Sequence, residues 1–144
     1  METTMKVRTL DHVNIRTERV AETVEFYTTM LGMVVKPPPG GTDTSRGAWI
    51  YDDDDRPVLH VGSYEARYPG DGMLKNAQAP SVGTGNIHHV ALECLGYDEL
   101  VARLKAANLQ IATSDIPSMQ LRQVFVEDPN GVTLELNFRG AAAA

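Results

Sequence analysis

The sequence predicts an α+β fold built from two βαβββ modules. Three observations predict it. First, a motif recurs: Leu10-Asp11-His12-Val13-Asn14-Ile15 near the start and Ile87-His88-His89-Val90-Ala91-Leu92 near the middle, 77 residues apart. Each copy opens on an aliphatic residue, places a histidine third and continues with strand-like alternation. Second, each motif is followed by an amphipathic stretch with helical spacing. Third, each helix leads into a short strand and a β-hairpin.

Taken in order, the first helix carries Val20, Val24, Tyr27 and Leu31 on one stripe, and Gly32 stops it. Leu100, Val101, Leu104 and Ala107 form the matching stripe in the second, which Asn108 stops. The first hairpin pairs Ala48-Trp49-Ile50-Tyr51 with Pro57-Val58-Leu59-His60-Val61. The second pairs Gln123-Val124-Phe125-Val126 with Val132-Thr133-Leu134-Glu135-Leu136 across Asp128-Pro129-Asn130-Gly131. Trp49 matches Phe125 at an offset of 76 and His60 matches Glu135 at 75. A turn one residue longer in the first copy would absorb that slip. The modules therefore span about residues 8–62 and 86–138 of a single domain, 1–140, joined by a long loop, 62–86. The terminal residues 141–144, all alanine, are left outside the fold.

Composition narrows the function. The 144 residues are 42% apolar and 22% charged, which suits one globular domain and excludes wholesale disorder. Thirteen Lys and Arg against 19 Asp and Glu leave a net charge of −6 with no basic run. Nucleic acid and anionic membrane surfaces are therefore not expected partners. A lone cysteine, Cys94, excludes an intrachain disulfide and a multi-cysteine zinc site. The opening residues METTMKVRTL lack the apolar stretch of a signal peptide, so a cytoplasmic location is expected. The acidic run Asp52 to Asp55 lacks the ligand spacing and glycine of a calcium loop and reads as a solvated turn.

Side chains alternate faces along a strand. Val13 and Ile15 suit the helix side, so His12 and Asn14 take the other. Val90, Leu92 and Cys94 likewise leave His89 facing away from the helices, and Val132, Leu134 and Leu136 leave Glu135 so. His60 lies opposite Leu59 and Val61. Four polar residues thus occupy matched places: His12 and His89 on first strands, His60 and Glu135 on last strands. If the copies pair about a pseudo-two-fold axis, the four converge. Three imidazoles and a carboxylate suit Fe(II), Mn(II), Co(II), Ni(II) or Zn(II). A strand histidine alone is more often structural, and Glu135 alone could face solvent; the matched positions tip the balance to metal. A glutamate within Val-Thr-Leu-Glu-Leu-Asn-Phe is costly to bury without a cation. His88 has no histidine counterpart and reads as structural or as a support to the ligands. Cys94 reads as core. For Trp49, Tyr51 and Phe125, which face the cleft, core filling and pocket wall stay open.

The strings LDHVNI, IHHVAL and DPNGVTLELNF resemble the vicinal oxygen chelate superfamily, from about Leu10 to Phe138. That superfamily holds glyoxalase, extradiol ring-cleaving dioxygenases, methylmalonyl-CoA epimerase and fosfomycin-resistance proteins. The resemblance implies the glyoxalase/extradiol dioxygenase fold, in which the two modules form a concave mixed sheet around a metal cleft, and with it a divalent metal, a small-molecule substrate and a homodimer. It places His12, His89 and Glu135 at metal-ligand positions. Glyoxalase-like members carry a carboxylate where His60 stands, and epimerases an amide. Extradiol dioxygenases keep an acid-base histidine near this place, so the resemblance favours an Fe(II) dioxygenase with His60 as catalytic acid-base. Phe125 stands in the region where many of those enzymes carry a tyrosine. A lyase, isomerase or epimerase with His60 as a fourth metal ligand is the alternative, and a small-molecule-binding resistance protein the second. Asn14, Trp49, Tyr51 and Phe125 are the expected substrate contacts.

Overall fold

The structure is a computed structural model, and it describes residue 4, residues 7–65, residue 83 and residues 88–143. Most of the connection 62–86, and Ile87, fall outside the described residues. The order is β1 (Val13–Arg16), α1 (Val20–Thr29), β2 (Val34–Lys36), β3 (Gly47–Tyr51) and β4 (Pro57–Gly62) in the first module. The second has β5 (Val90–Glu93), α2 (Tyr97–Ala106), β6 (Ile111–Ile116), β7 (Leu121–Glu127) and β8 (Thr133–Arg139). Among the described residues no helix is long and apolar enough to cross a membrane.

Each module folds its own four-stranded mixed sheet, ordered β1-β4-β3-β2 and β5-β8-β7-β6. In both, the first strand runs parallel to the last and the other pairs are antiparallel. The registers repeat as well. Val13 pairs with Leu59 as Val90 pairs with Leu134, and Trp49 faces His60 as Phe125 faces Glu135. The ladders begin at Val13 and Val90, so His12 and His89 stand one residue ahead of the first strands rather than within them.

The one-residue slip between copies is not in the turn. Both hairpins close identically: Asp52 N–H donates to Arg56 O, and Asp128 N–H to Val132 O, at 2.9 Å each. In each, the leading aspartate Oδ1 accepts from the amides two and four residues on, an Asx turn that satisfies donors the loop leaves free. Both turns use a left-handed residue, Asp55 at φ 59° and Gly131 at φ 76°. The extra residue is Val58, left out of the ladder where Ile50 pairs with Leu59 and Tyr51 with Pro57, a β-bulge. The acidic run is thus a turn, held by Arg56 on Asp52.

The helices shield one face of each sheet. Val20, Phe26 and Tyr27 of α1 are buried with Ile15, Ile50, Leu59 and Val61; Thr23 is also fully buried, a position the apolar stripe did not include. Leu100 and Leu104 of α2 join Leu134, Leu136 and Phe138, while Tyr97 packs edge-on to Phe138 at 5.3 Å. Ala107, expected in that stripe, is exposed because α2 ends at Ala106. The modules meet where the Asp128 turn docks on α1. Tyr27 Oη donates to Asp128 Oδ2 at 3.0 Å, Thr17 Oγ1 to Asn130 Oδ1 at 2.5 Å, and Asn130 Nδ2 to Thr23 Oγ1 at 2.9 Å.

Candidate metal centre

The face of the first sheet turned from α1 carries His12, Asn14, His60, Trp49 and Tyr51, as the alternation requires. There the rings of His12 and His60 stack at 3.8 Å between centroids, with planes 12° apart. Trp49, the cross-strand neighbour of His60, stacks on it at 4.0 Å and 7°. Three rings therefore form one column, with His60 in the middle. Its Nε2 is buried with no hydrogen-bond partner. Burial, then repulsion from His12, hold the His60 imidazole below its ordinary pKa, outweighing the opposing pull of Pro57 and Asp11. His60 is thus a neutral base at neutral pH, with an unused nitrogen. His12 Nδ1 lies 2.6 Å from Asp11 Oδ1, a contact that orients the ring and leaves Nε2 for another partner.

The second sheet carries the other pair. His89 Nε2 stands 3.9 Å from Glu135 Oε1, and the Glu135 side chain is only 18% exposed. Among the described residues no lysine or arginine forms an ion pair with it. Instead Asn137 Nδ2 donates to Glu135 Oε2 at 3.0 Å, and Gln123 Nε2 donates to Asn137 Oδ1 at 3.0 Å. His88 Nδ1 lies 3.0 Å from His89 Nδ1. Asp11 and His88, at equivalent repeat positions, thus each address the Nδ1 of the following histidine. Sequence reasoning gave Asp11 no such part and missed the Gln123–Asn137 pair. A polar residue buried on the same strand face as Glu135 was the available signal.

One chain brings His12 to His60 and His89 to Glu135, but it does not join the pairs. Among the described residues no three of His, Cys, Asp and Glu lie close enough to hold a metal together. The donors themselves fit a borderline divalent cation: an orphaned imidazole nitrogen, two further imidazoles and a half-buried carboxylate without a cation.

The remaining expected contacts divide. Trp49 and His60 line a cavity of about 540 Å³ whose outer wall is Pro38, Gly41 and Arg46. Phe125 is half-buried beside Glu135. Asn14 is exposed in register with His60. Tyr51 lies outside the cavity lining, with the Lys36 ammonium 4.5 Å over its ring. Cys94 has its thiol pushed up to about 11 by burial, then by Glu93, which suits a core thiol and no nucleophile.

The profile of the Glyoxalase/Bleomycin resistance protein/Dioxygenase superfamily matches residues 9–136. No curated protein matches the sequence significantly. Solved structures share the fold over nearly the whole chain. A glyoxalase family protein from Bacillus anthracis is 20% identical, with 94% of this chain and 98% of that one covered and a TM-score of 0.64. A lactoylglutathione lyase from Agrobacterium tumefaciens is 13% identical, with 92% and 95% covered and a TM-score of 0.63. A glyoxalase/dioxygenase from Nostoc punctiforme is 16% identical, with 95% and 97% covered and a TM-score of 0.64.

Proposed function

The chain belongs to the Glyoxalase/Bleomycin resistance protein/Dioxygenase superfamily, and on that premise we propose that it is a divalent-metal enzyme acting on a small molecule with two vicinal oxygens, by extradiol-type ring cleavage. Its centre is assembled between two copies: His12 and His60 of one face His89 and Glu135 of the other. Support for the pairing comes from the two separated donor pairs and from the open edges of β1 and β5, each an outer strand of its sheet.

His12, His89 and Glu135 would hold the ion as a two-histidine, one-carboxylate set, with Fe(II) favoured, and the bound metal would supply the means to bind two substrate oxygens and to engage O2. His60 takes a phenolic proton onto Nε2 and later returns one. The observation that carries this division is the His12–His60 stack. A ring nitrogen's lone pair lies in the plane of its own ring. Two nearly parallel rings with centroids 3.8 Å apart cannot both hold one ion in their planes while they stay stacked, so in the stack one imidazole binds and the other stays free. The buried, unpartnered Nε2 supports a second reading, a Lewis-acid lyase or isomerase with His60 as fourth ligand, but it requires that ring to leave the stack.

Metal analysis after anaerobic purification, with oxygen uptake on a panel of catechols, tests the proposal. The expected result is about one metal ion per chain and oxygen consumption with at least one catechol. Absence of uptake by the Fe(II)-loaded protein across the panel overturns the dioxygenase reading, and isomerase activity supported by Zn(II) or Ni(II) establishes the second.

A further inference from the structure

We propose that Asn137 and Gln123 are positioning residues that set the angle of the Glu135 carboxylate and thereby tune the affinity of the centre for its metal. The inference rests on the metal reading above and extends it to residues that bind nothing themselves. Asn137 is 5% exposed, an unusual place for an amide unless its hydrogen bonds are met. Its main chain is already engaged, accepting from Cys94 N–H at 2.8 Å. The side chain is spent wholly along the sheet face: the nitrogen on Glu135 Oε2, the oxygen on Gln123 Nε2. Gln123 is the cross-strand partner of Asn137, so the β7–β8 register delivers the second amide. With Gln123 donating to Oδ1, Asn137 can present only its NH2 to the carboxylate. A glutamate's terminal torsion is broad, so without such a donor the plane of Glu135 would wander. With it, Oε2 is tethered and Oε1 is left on the side of His89.

The internal repeat supplies a control. The positions matching Gln123 and Asn137 in the first module are Gly47 and Gly62, which also pair across strands. That module presents an imidazole, His60, where the second presents a carboxylate, and its ring is held by stacking between His12 and Trp49. Amide pairing thus accompanies the carboxylate and is absent beside the imidazole.

Co(II) titration of the purified protein, followed by calorimetry and by the visible absorption of the bound ion, tests the proposal. Asn137→Leu keeps the branched shape of the side chain and removes both hydrogen bonds. It should weaken Co(II) binding about 10- to 100-fold, the range for losing a group that orients a metal ligand. Gln123→Ala, at a half-buried site, takes the donor from Asn137 Oδ1 and should lower the metal-free protein's melting temperature only modestly, leaving it folded. It should still weaken Co(II) binding several-fold and change the absorption envelope. Wild-type affinity and spectrum in a folded Gln123→Ala protein overturn the positioning role, even if Asn137→Leu fails to fold. A wild-type protein that binds no Co(II) defeats the metal reading and this inference together, whereas tight wild-type binding with indifferent variants defeats this inference alone.

Discussion

His60 shows how much one side chain takes from its neighbours. Alternation along β4 is enough to put it on the face away from the helices, and the repeat is enough to match it with Glu135. Its chemistry was not legible that way, because stacking depends on the β3–β4 register that brings Trp49 alongside and on the chain just before β1 that brings His12. The column keeps the ring neutral and nearly parallel to that of His12, so while the stack holds, His60 can serve as a base beside a metal that His12 binds. His60→Ala should therefore leave Fe(II) content near wild type while slowing catechol turnover roughly a hundredfold or more. Metal analysis and oxygen uptake on the same preparation check both halves. Loss of the metal along with activity would instead make His60 a ligand.

At the scale of elements, the hairpin turns show one local design put to two uses. Asp52 and Asp128 close the same five-residue turn with the same backbone bonds, yet the first is solvated and the second is docked on α1. The sequence discloses the shared turn through Asp and the left-handed position, while the docking depends on Tyr27, 101 residues away from Asp128. Burial and the facing Asp128 raise the Tyr27 phenol far above its ordinary value of 10, so it stays protonated in the fold. An unfolded chain loses that proton above about pH 10, so stability from this group is complete below that pH and is lost as pH rises. Tyr27→Phe should destabilise the protein by about 1–3 kcal/mol at neutral pH, since Asp128 loses a buried donor. It should also flatten the alkaline limb of stability. Urea unfolding at pH 7 and pH 10.5 measures both; an unchanged midpoint at pH 7 would show that the bond contributes nothing net.

For the whole molecule, the decisive question is how two half-centres become one. The repeat makes the faces of both sheets readable, because a period of two residues determines which side chains share a face. Where one sheet sits against the other is set by contacts between distant segments, such as the Asp128 turn on α1, and no local pattern encodes it. Within one chain the donor pairs stay apart, so the proposed centre needs a second copy. Complementation decides this directly. His12→Ala and Glu135→Ala each damage every centre of their own homodimer. When the two variants are unfolded together at equal amounts and refolded, about half of the dimers are mixed by random association. In a centre shared between copies, each mixed dimer joins the intact His12 and His60 of one chain to the intact His89 and Glu135 of the other. One of its two centres is then whole and the other lacks both residues. The mixture should recover about a quarter of the wild-type metal content and turnover, although each variant alone has little of either. A centre built inside one chain gives no recovery at any ratio, because no chain then carries a full ligand set. Separating the mixed dimer by a charge tag and counting one metal ion in it would establish the shared centre, and finding none would remove it.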